Sequence, residues 1–290
     1  MPQHDLKRYT VKQLTETHNI VLDDDGFVFA KGTFPVLLVA HLDTVHKKLP
    51  SKINFKNGAF SSPNGIGGDD RCGIFMILEI VKQINCSVLF CEDEEIGGIG
   101  AEKFISTKFA ENYIDAFNYI IEFDRKGKNE AVFYNCDNLD FENFITKDFY
   151  KVDIGSFSDI SVVAPFLGCA AVNLSCGYYK AHTKNEYVVW KQMIDSMNAA
   201  IDILNRTTED DKFEYVEGKF NNWFYDYGYG YGGYHTEITY IFEYVDDQGV
   251  QKCAEVYANT EVEAIGEFCI EHWDIPYGNI REIYPIDDYI

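Results

Sequence analysis

Residues 36–46 read VLLVAHLDTVH, an apolar run that ends abruptly in polar residues. The apolar part, with Pro35 before it, predicts a β-strand buried on both faces, as in the interior of a mostly parallel sheet. His41 and Asp43 follow the run directly, where the strand should end. Ligands of open α/β sheets bind beyond the carboxyl ends of the strands. This stretch therefore predicts a mostly parallel sheet, with a ligand site at the carboxyl end of the strand.

On both sides of this stretch, segments typical of strands alternate with segments typical of helices. Short apolar runs bounded by turn residues predict strands, and longer segments with apolar residues three or four apart predict helices. The predicted strands are 19–23, 27–32, 35–40, 86–92, 117–124 and 169–175, and the predicted helices are 72–84, 101–113, 159–166 and 188–206. The alternation predicts an α/β fold, in which helices sandwich a mostly parallel (mixed) central sheet.

The alternation stops near Arg206, where the composition also changes. The chain has a net charge of −22, and residues 206–290 contribute 19 acidic and 5 basic residues to it. We predict a main domain over 1–205, a Tyr/Gly-rich linker over 206–234, and a small acidic ββαβ module over 235–290. The last part would be an α+β extension at the C-terminal end.

The bulk composition argues against several classes of protein. The acidity disfavours binding to nucleic-acid backbones and to anionic membranes. The sequence has no run of 18 apolar residues, and its first residues, MPQHDLKRYTVKQL, lack the apolar core of a signal peptide. The eight cysteines are scattered without CxxC pairs, which indicates free thiols in a reducing compartment. We therefore expect a cytoplasmic protein with no nucleic-acid and no membrane partner.

Polar residues contrast with apolar surroundings at five places in the first 205 residues. They are His41 and Asp43 in AHLDTV, Asp69 and Asp70 in GIGGDDRCG, Glu94 and Glu95 in CEDEEIGGIGA, Asp124 in IIEFDRKG, and His182 in YYKAHTKNEYV. Singly, each has an ordinary explanation, such as a hydrogen-bonded pair at a strand end or a solvated acidic face. Together, imidazoles and carboxylates without a thiolate suit Zn²⁺, Co²⁺ or Mn²⁺. Two imidazoles and three carboxylates are what two metal ions with one shared ligand require.

These motifs, in this order, resemble the zinc-dependent exopeptidases with co-catalytic metals. That group includes leucyl-type aminopeptidases, glutamyl aminopeptidases, peptidase T and acetylornithine deacetylases. Its pattern is HxD, then DxxxG at the start of a helix, then EE followed by Gly, then a lone Asp and a late His. The resemblance spans roughly residues 35–190 and is specific as a set, although each motif alone is weak.

The resemblance implies a role for each motif residue. The implied metal ligands are His41, Asp69, Glu95, Asp124 and His182, with Asp69 shared between two divalent ions. The ions would be Zn²⁺, with Co²⁺ or Mn²⁺ as alternatives. Asp43 would orient the ring of His41, Glu94 would be the general base, and Asp70 would be a neighbour rather than a ligand. The activity implied is hydrolysis of peptide (amide) bonds.

Chain spacing narrows the branch of the group that this sequence resembles. The 58 positions from Asp124 to His182 leave no room for a lid domain, and the gap from Asp43 to Asp69 leaves none for an inserted β-domain. The single-domain aminopeptidases remain. Nearby residues carry smaller expectations: Arg125 pairs with a carboxylate or contacts substrate, and Asp159 caps the helix that follows it.

Two alternatives to an aminopeptidase stay open at this stage. One is a deacylase or amidohydrolase that acts on a non-peptide amide. The other is a catalytically degenerate binding protein on the same scaffold, against which the intact Glu94 and ligand set argue. The partner would be a peptide or small amide substrate. A homo-oligomer, or a protein partner bound through the C-terminal module, is also compatible with the sequence.

Overall fold

The computed structural model describes residues 1–50, 52–218, 238–245, 250–258, 268 and 280–286. The chain divides into two compact units, Met1–Trp223 and Phe224–Ile290. Among the described residues, no helix is long and apolar enough to cross a membrane.

An eight-stranded mixed sheet forms the centre of the first unit, in the order β1-β2-β6-β3-β7-β10-β8-β9. Its strands are β1 (Ile20–Asp24), β2 (Phe27–Lys31), β3 (Phe34–His41), β6 (Cys86–Cys91), β7 (Tyr119–Arg125), β8 (Glu130–Val132), β9 (Lys151–Val152) and β10 (Ala171–Ser175). The four inner strands β6, β3, β7 and β10 run parallel to their neighbours in that set. The hairpin β1–β2 and strand β8 pair antiparallel at the two sides. The predicted mostly parallel sheet is confirmed.

Strand β3 lies between β6 and β7, and residues 36–40 in it are completely buried. Val36, Leu38 and Ala40 belong to the core on one face of the sheet. Leu37 and Val39 belong to the core on the other face. Burial on both faces is why this stretch is continuously apolar rather than alternating.

Helices cover both faces of the sheet. They are α1 (Gln3–Thr17), α2 (Gly68–Ile80), α3 (Ile99–Ile105), α4 (Leu139–Thr146), α5 (Ile160–Leu167) and α6 (Trp190–Arg206). The first core cluster contains buried side chains of α1, α2, α4 and α6. The second contains those of α3 and α5. The predicted sandwich of helices around the sheet is thus present.

Three helical segments differ from the sequence-based prediction. Helix α4 was not predicted, and of its eight residues only Phe141 and Ile145 are buried. Helix α1 was not predicted, because only Leu6, Thr10 and Leu14 are buried in an otherwise charged and polar segment. The single helix predicted over 101–113 is instead α3 followed by a short 3₁₀ turn at Ala110–Tyr113. Thr107 separates them, since its hydroxyl donates to the Phe104 carbonyl and accepts from the Ala110 N–H.

A second, four-stranded sheet stands beside the carboxyl ends of the central strands, in the order β11-β12-β5-β4. Its strands are β4 (Asn54–Lys56), β5 (Ala59–Ser61), β11 (Tyr178–Tyr179) and β12 (Tyr187–Val189). In the described part of the gap between Asp43 and Asp69, the hairpin β4–β5 is the only strand pair. The loop between β11 and β12 contains His182.

Residues 207–218, which the sequence analysis assigned to a linker, pack on the first unit. The backbone of Phe213 accepts a hydrogen bond from the Ala170 N–H and donates one to the Asn118 carbonyl, both at 2.9 Å. Its ring lies 5.2 Å from that of Phe141. The rest of the Tyr/Gly-rich stretch, 219–234, lies outside the described residues.

The C-terminal unit contains a three-stranded antiparallel sheet in the order β14-β13-β15. Its strands are β13 (Ile238–Val245), β14 (Gln251–Ala258) and β15 (Ile280–Ile286). The predicted helix between the second and third strands lies outside the described residues, except for Phe268. That ring is buried and stacks on Phe242, with the ring centres 4.4 Å apart.

Candidate metal centre and active site

The residues singled out in the sequence converge at the carboxyl ends of the central strands. His41 ends β3, and Asp124 lies near the end of β7. Glu94 and Glu95 open a 3₁₀ turn, Glu94–Ile96, shortly after β6. Asp69 lies at the start of α2, and His182 lies in the loop between β11 and β12. Parallel pairing of β6, β3 and β7 accounts for this convergence, since parallel strands end at the same edge.

Two groups of donor atoms share Asp69. The Nε2 atom of His41 lies 3.0 Å from Oδ1 of Asp69 and 3.4 Å from Oδ1 of Asp124. The Nε2 atom of His182 lies 3.1 Å from Oδ2 of Asp69 and 2.9 Å from Oε2 of Glu95. Each imidazole therefore faces a different oxygen of the same carboxylate.

Asp43 connects these groups to the acidic doublet. Its Oδ1 atom lies 3.1 Å from Nδ1 of His41, on the ring side opposite Asp69. The same carboxylate accepts the backbone N–H groups of Glu94, at 3.0 Å, and Glu95, at 3.1 Å. Burial opposes ionisation, but the hydrogen bond and charge of His41 outweigh it, so the pKa of Asp43 is lowered. One side chain thus orients both the His41 ring and the Glu94–Glu95 turn.

Asp69 and Asp70 have different surroundings, although they are adjacent. Both oxygens of Asp70 accept backbone N–H groups, from His41 at 3.2 Å and from Gly73 at 2.9 Å. Asp70 is fully buried, and its donor atoms lie close enough to those of His41 and Asp124 to form a candidate metal group. The oxygens of Asp70 thus face backbone N–H groups, whereas each oxygen of Asp69 faces an imidazole.

The charges of the site shift the ionisation of its members. Burial alone would lower the pKa of His41, but Asp124, Asp43 and Asp69 raise it well above its usual value. Hydrogen bonds to Asp69 and Glu95 raise the pKa of His182 to about 10. Burial raises the pKa of Asp124 to about 6. The clustered carboxylates therefore stabilise positive charge on both imidazoles. A bound metal cation would be stabilised by the same carboxylates.

Glu94 lies at the edge of this cluster and is only half-buried. Burial, and then the charge of Asp124, raise the pKa of Glu94 to about 9. A carboxyl with a raised proton affinity beside a cluster of ligand-type groups is typical of a general acid or base.

The donor set fits divalent metal ions. Ligands at about 2.0–2.2 Å from one tetrahedral Zn²⁺ are themselves about 3.3–3.6 Å apart. The donor atoms around His41 and His182 lie 2.9–3.4 Å apart, so shifts of a few tenths of an ångström would give this spacing. The Oε1 atom of Glu95 is buried and has no hydrogen-bond partner among the described residues. A buried carboxylate oxygen without a donor is costly unless it is paired or coordinates a metal. His41, Asp69 and Glu95 also form a candidate metal group by the proximity of their donor atoms.

Several contacts around the site were not predicted from the sequence. Tyr178 donates its hydroxyl to Oδ1 of Asp124, and Ser158 donates its hydroxyl to Oδ2. Glu186 is completely buried and accepts the backbone N–H of Asp69. The only available signal for Glu186 was its place four residues after His182. Its partners are more than a hundred residues away along the chain, so no local pattern indicates them.

Two minor expectations have clear outcomes. Arg125 pairs with Asp153, as expected for a charge-pairing role. Asp159 occupies the N-cap position of α5, as expected, but its side chain makes no capping hydrogen bond and is completely buried. Burial raises the pKa of Asp159 to about 7.

Comparison with solved structures reveals several similar folds. The aminopeptidase PepT of Bacillus cereus is 14% identical, with a TM-score of 0.58 and alignment over 70% of this chain and 92% of that one. A tripeptidase of Staphylococcus aureus is 14% identical, with a TM-score of 0.55 over 69% and 92% of the two chains. The TET1 peptidase of Pyrococcus horikoshii is 14% identical, with a TM-score of 0.52 over 70% and 94%.

The chain has the fold of these aminopeptidases. The resemblance to the zinc-dependent exopeptidases, recognised from the motifs, is confirmed at the level of the fold. No family model and no curated protein matches the sequence. Identities of 14% show the fold alone, so function has to be argued from the site.

Proposed function

We propose that this protein is a metal-dependent peptidase, most specifically an aminopeptidase with two co-catalytic divalent ions. The observation that carries the proposal is the shared carboxylate of Asp69, whose two oxygens face the imidazoles of His41 and His182 at 3.0 and 3.1 Å. Zn²⁺ suits imidazole and carboxylate donors, and Co²⁺ or Mn²⁺ are the alternatives.

The ligands divide into two sets in this proposal. His41 and Asp124 would hold one ion, and Glu95 and His182 would hold the other. Asp69 would bind both. Asp43 would fix the ring orientation of His41 through Nδ1, the usual second partner of a metal-binding histidine.

The chemistry proposed is hydrolysis of an amide bond. Two bound divalent ions supply a nucleophilic water near neutral pH and polarise the scissile carbonyl. Glu94 would accept the proton of the attacking water and donate it to the leaving amine. Asp43 would help to position Glu94, because the Asp43 carboxylate accepts the backbone N–H of Glu94.

The two arginines next to the proposed ligands are not free to bind an anionic substrate. A deacylase pocket that binds an anionic substrate needs a free cation. Arg71, next to the acidic doublet, donates to the backbone carbonyl of Asp43 at 2.6 Å. Arg125, next to Asp124, pairs with Asp153. Both arginines beside the proposed ligands are therefore engaged within the protein, which supports an aminopeptidase over a deacylase that would bind its anionic substrate through one of these arginines.

Assembly into a homo-oligomer is part of the proposal. The TET1 peptidase of P. horikoshii is described as assembling into a tetrahedron or a large octahedral shell. Light scattering of the purified full chain tests whether this protein also assembles. If copies of the chain contact each other through the C-terminal unit, a chain without that unit should have a smaller mass by light scattering.

Metal analysis combined with a substrate screen tests the proposed function. We expect close to two divalent ions per chain after gentle purification, and hydrolysis of members of a fluorogenic dipeptide library. A parallel panel of N-acyl amino acids tests deacylation. Protein that takes up no metal when zinc is offered, or that holds metal but cleaves none of these amides, contradicts the proposal. The second outcome would favour a binding protein on a peptidase scaffold.

A further inference from the structure

Glu186 is a completely buried carboxylate on which three hydrogen-bonding groups converge. Its Oε2 atom lies 2.7 Å from Nε2 of His46 and accepts the backbone N–H of Gly67, also at 2.7 Å. Its Oε1 atom accepts the backbone N–H of Asp69 at 3.1 Å. A charged acceptor buried with three partners is among the stronger hydrogen-bonding arrangements in proteins.

These three groups come from two separate segments. His46 belongs to the loop after β3, and Gly67 and Asp69 belong to the segment that begins α2. The backbone of the second segment lies directly under His46. A Cβ atom at Gly65, where φ is +85°, would lie 2.1 Å from Cε1 of the His46 ring. Glu186 therefore holds two loops together, and one of them carries Asp69.

The backbone at Asp69 has to be set accurately for both donor groups to form. Each oxygen of its carboxylate faces a different imidazole, at 3.0 and 3.1 Å. A shift of this backbone by a fraction of an ångström would disturb both contacts at once. Glu186 lies four residues after His182, so the same loop supplies a proposed ligand and the support of the shared one.

We infer that Glu186, together with His46, is the positioning residue of the shared ligand Asp69, so that both metal centres form as one unit. This inference rests on the proposed function. A carboxylate is required at 186 because its two oxygens serve donors on both sides. The amide of glutamine presents an acceptor on one side only and an N–H₂ group to the donor on the other.

Metal titration of the full chain, after removal of its metal, tests the inference. The probe is Co²⁺, followed by calorimetry and by its visible absorption spectrum, which reports the coordination geometry. We expect Glu186→Gln to weaken both binding steps by about 10–100-fold, as losses of ligand-orienting groups do, and to alter the spectrum. Glu130→Gln is the matched control, because Glu130 also accepts a backbone N–H and a side-chain donor, from Asn129 and Ser175. We expect the control to bind Co²⁺ as the wild type does.

Two further variants decide the matter if Glu186→Gln does not fold. His46→Ala removes the ring, and we expect about tenfold weaker binding. His46→Gln restores an N–H donor at similar reach, and we expect affinity within about threefold of the wild type. Wild-type affinity in both Glu186→Gln and His46→Ala, or equal losses in His46→Ala and His46→Gln, would overturn the inference. Wild-type protein that binds no Co²⁺ would instead contradict the proposed function.

Discussion

At the scale of single residues, the two glutamates of the acidic doublet have different surroundings. Glu95 faces the ring of His182 at 2.9 Å, whereas Glu94 stands half-buried with a raised pKa. Both backbone N–H groups are held by one carboxylate, that of Asp43. The Asp43 carboxylate therefore fixes the backbone of both glutamates, and the side chain of Glu95 lies against His182.

We predict that Glu94→Gln separates metal binding from chemistry. The amide keeps the size of the side chain but cannot accept the proton of the attacking water or return it to the leaving amine. We expect kcat on the best peptide to fall by at least ~10²-fold, the usual contribution of a general acid–base, with KM little changed. Steady-state kinetics and metal analysis of the same sample measure this.

Glu95→Gln is the variant to compare with Glu94→Gln, because it makes the same chemical change at a proposed metal ligand. It should lose one of the two ions as well as activity. Near-normal turnover of metal-loaded Glu94→Gln would show that Glu94 is not the general base and that the roles of the doublet are exchanged.

We also predict that metal binding releases protons at pH 7.5. In the metal-free protein the pKa of His41 is raised well above its usual value, and that of His182 is raised to about 10, so both rings carry a proton. A metal ion binds the neutral ring, so about two protons must leave. Affinity should therefore rise with pH until about 10 and fall below neutrality.

Calorimetry in buffers of different ionisation enthalpy counts these protons. The carboxyl of Glu94, with a pKa raised to about 9, should add about one more when two cations arrive beside it. The Glu94→Gln variant should release correspondingly fewer. Zero proton release at pH 7.5 would show that the imidazoles are not the ligands.

At the scale of elements, the start of α2 is pressed against the central sheet. A Cβ atom at Gly73 would lie 1.9 Å from the backbone carbonyl of Phe123 in β7 and 2.6 Å from the carboxylate of Asp70. Asp69 on α2 and Asp124 on β7 can both reach His41 because the helix and strand approach this closely. The glycine of the DxxxG motif is thus needed because a side chain at this position would clash with β7.

We predict that Gly73→Ala destabilises the protein and weakens metal binding together. Neither Phe123 nor α2 can move freely, and overpacking of a dense core costs about 1–3 kcal/mol. Urea unfolding in chelator and a metal titration measure the two effects. Gly218→Ala is the control, since a Cβ there makes only ordinary contacts, the nearest at 3.4 Å. Unchanged stability of Gly73→Ala would contradict the close packing.

At the scale of the whole molecule, the first unit contains every group proposed for catalysis. It also includes the segment 207–218, whose Phe213 packs among Tyr119, Phe141 and Phe144. This segment adds backbone hydrogen bonds to Ala170, Asn118 and Gly168. The boundary of a separable peptidase unit should therefore follow residue 218 rather than residue 205.

We predict that a chain of residues 1–218 folds, binds metal and retains hydrolysis of small peptides. A chain of residues 1–205 should be less stable, since it loses the partly buried ring of Phe213, which packs against three aromatic rings, together with the backbone hydrogen bonds of this segment. Thermal unfolding, metal content and activity of the two truncations measure this. If residues 1–218 fold with metal but are wholly inactive, the C-terminal unit completes the active site.

The sequence alone determined the central sheet and singled out the polar residues that converge at its edge. Continuous apolar runs mark strands such as β3 because burial on both faces leaves no place for polar side chains. The ligand-type residues were recognisable because they interrupt those runs at strand ends, where backbone topology must bring them together. Helix α1 escaped prediction since it buries only three side chains, too few to dominate its polar surface.

Only the tertiary structure showed which long-range contacts hold the polar groups in place. The distances that join Asp69 to two imidazoles, and Glu186 to the backbone of Asp69, connect residues 28 to 117 positions apart. Hydrogen bonds between such distant positions leave no periodic trace in the sequence, because each depends on the packing of several elements at once. For the same reason Asp159, which has the local pattern of a helix cap, turned out to be a buried carboxyl whose pKa is raised to about 7 by burial.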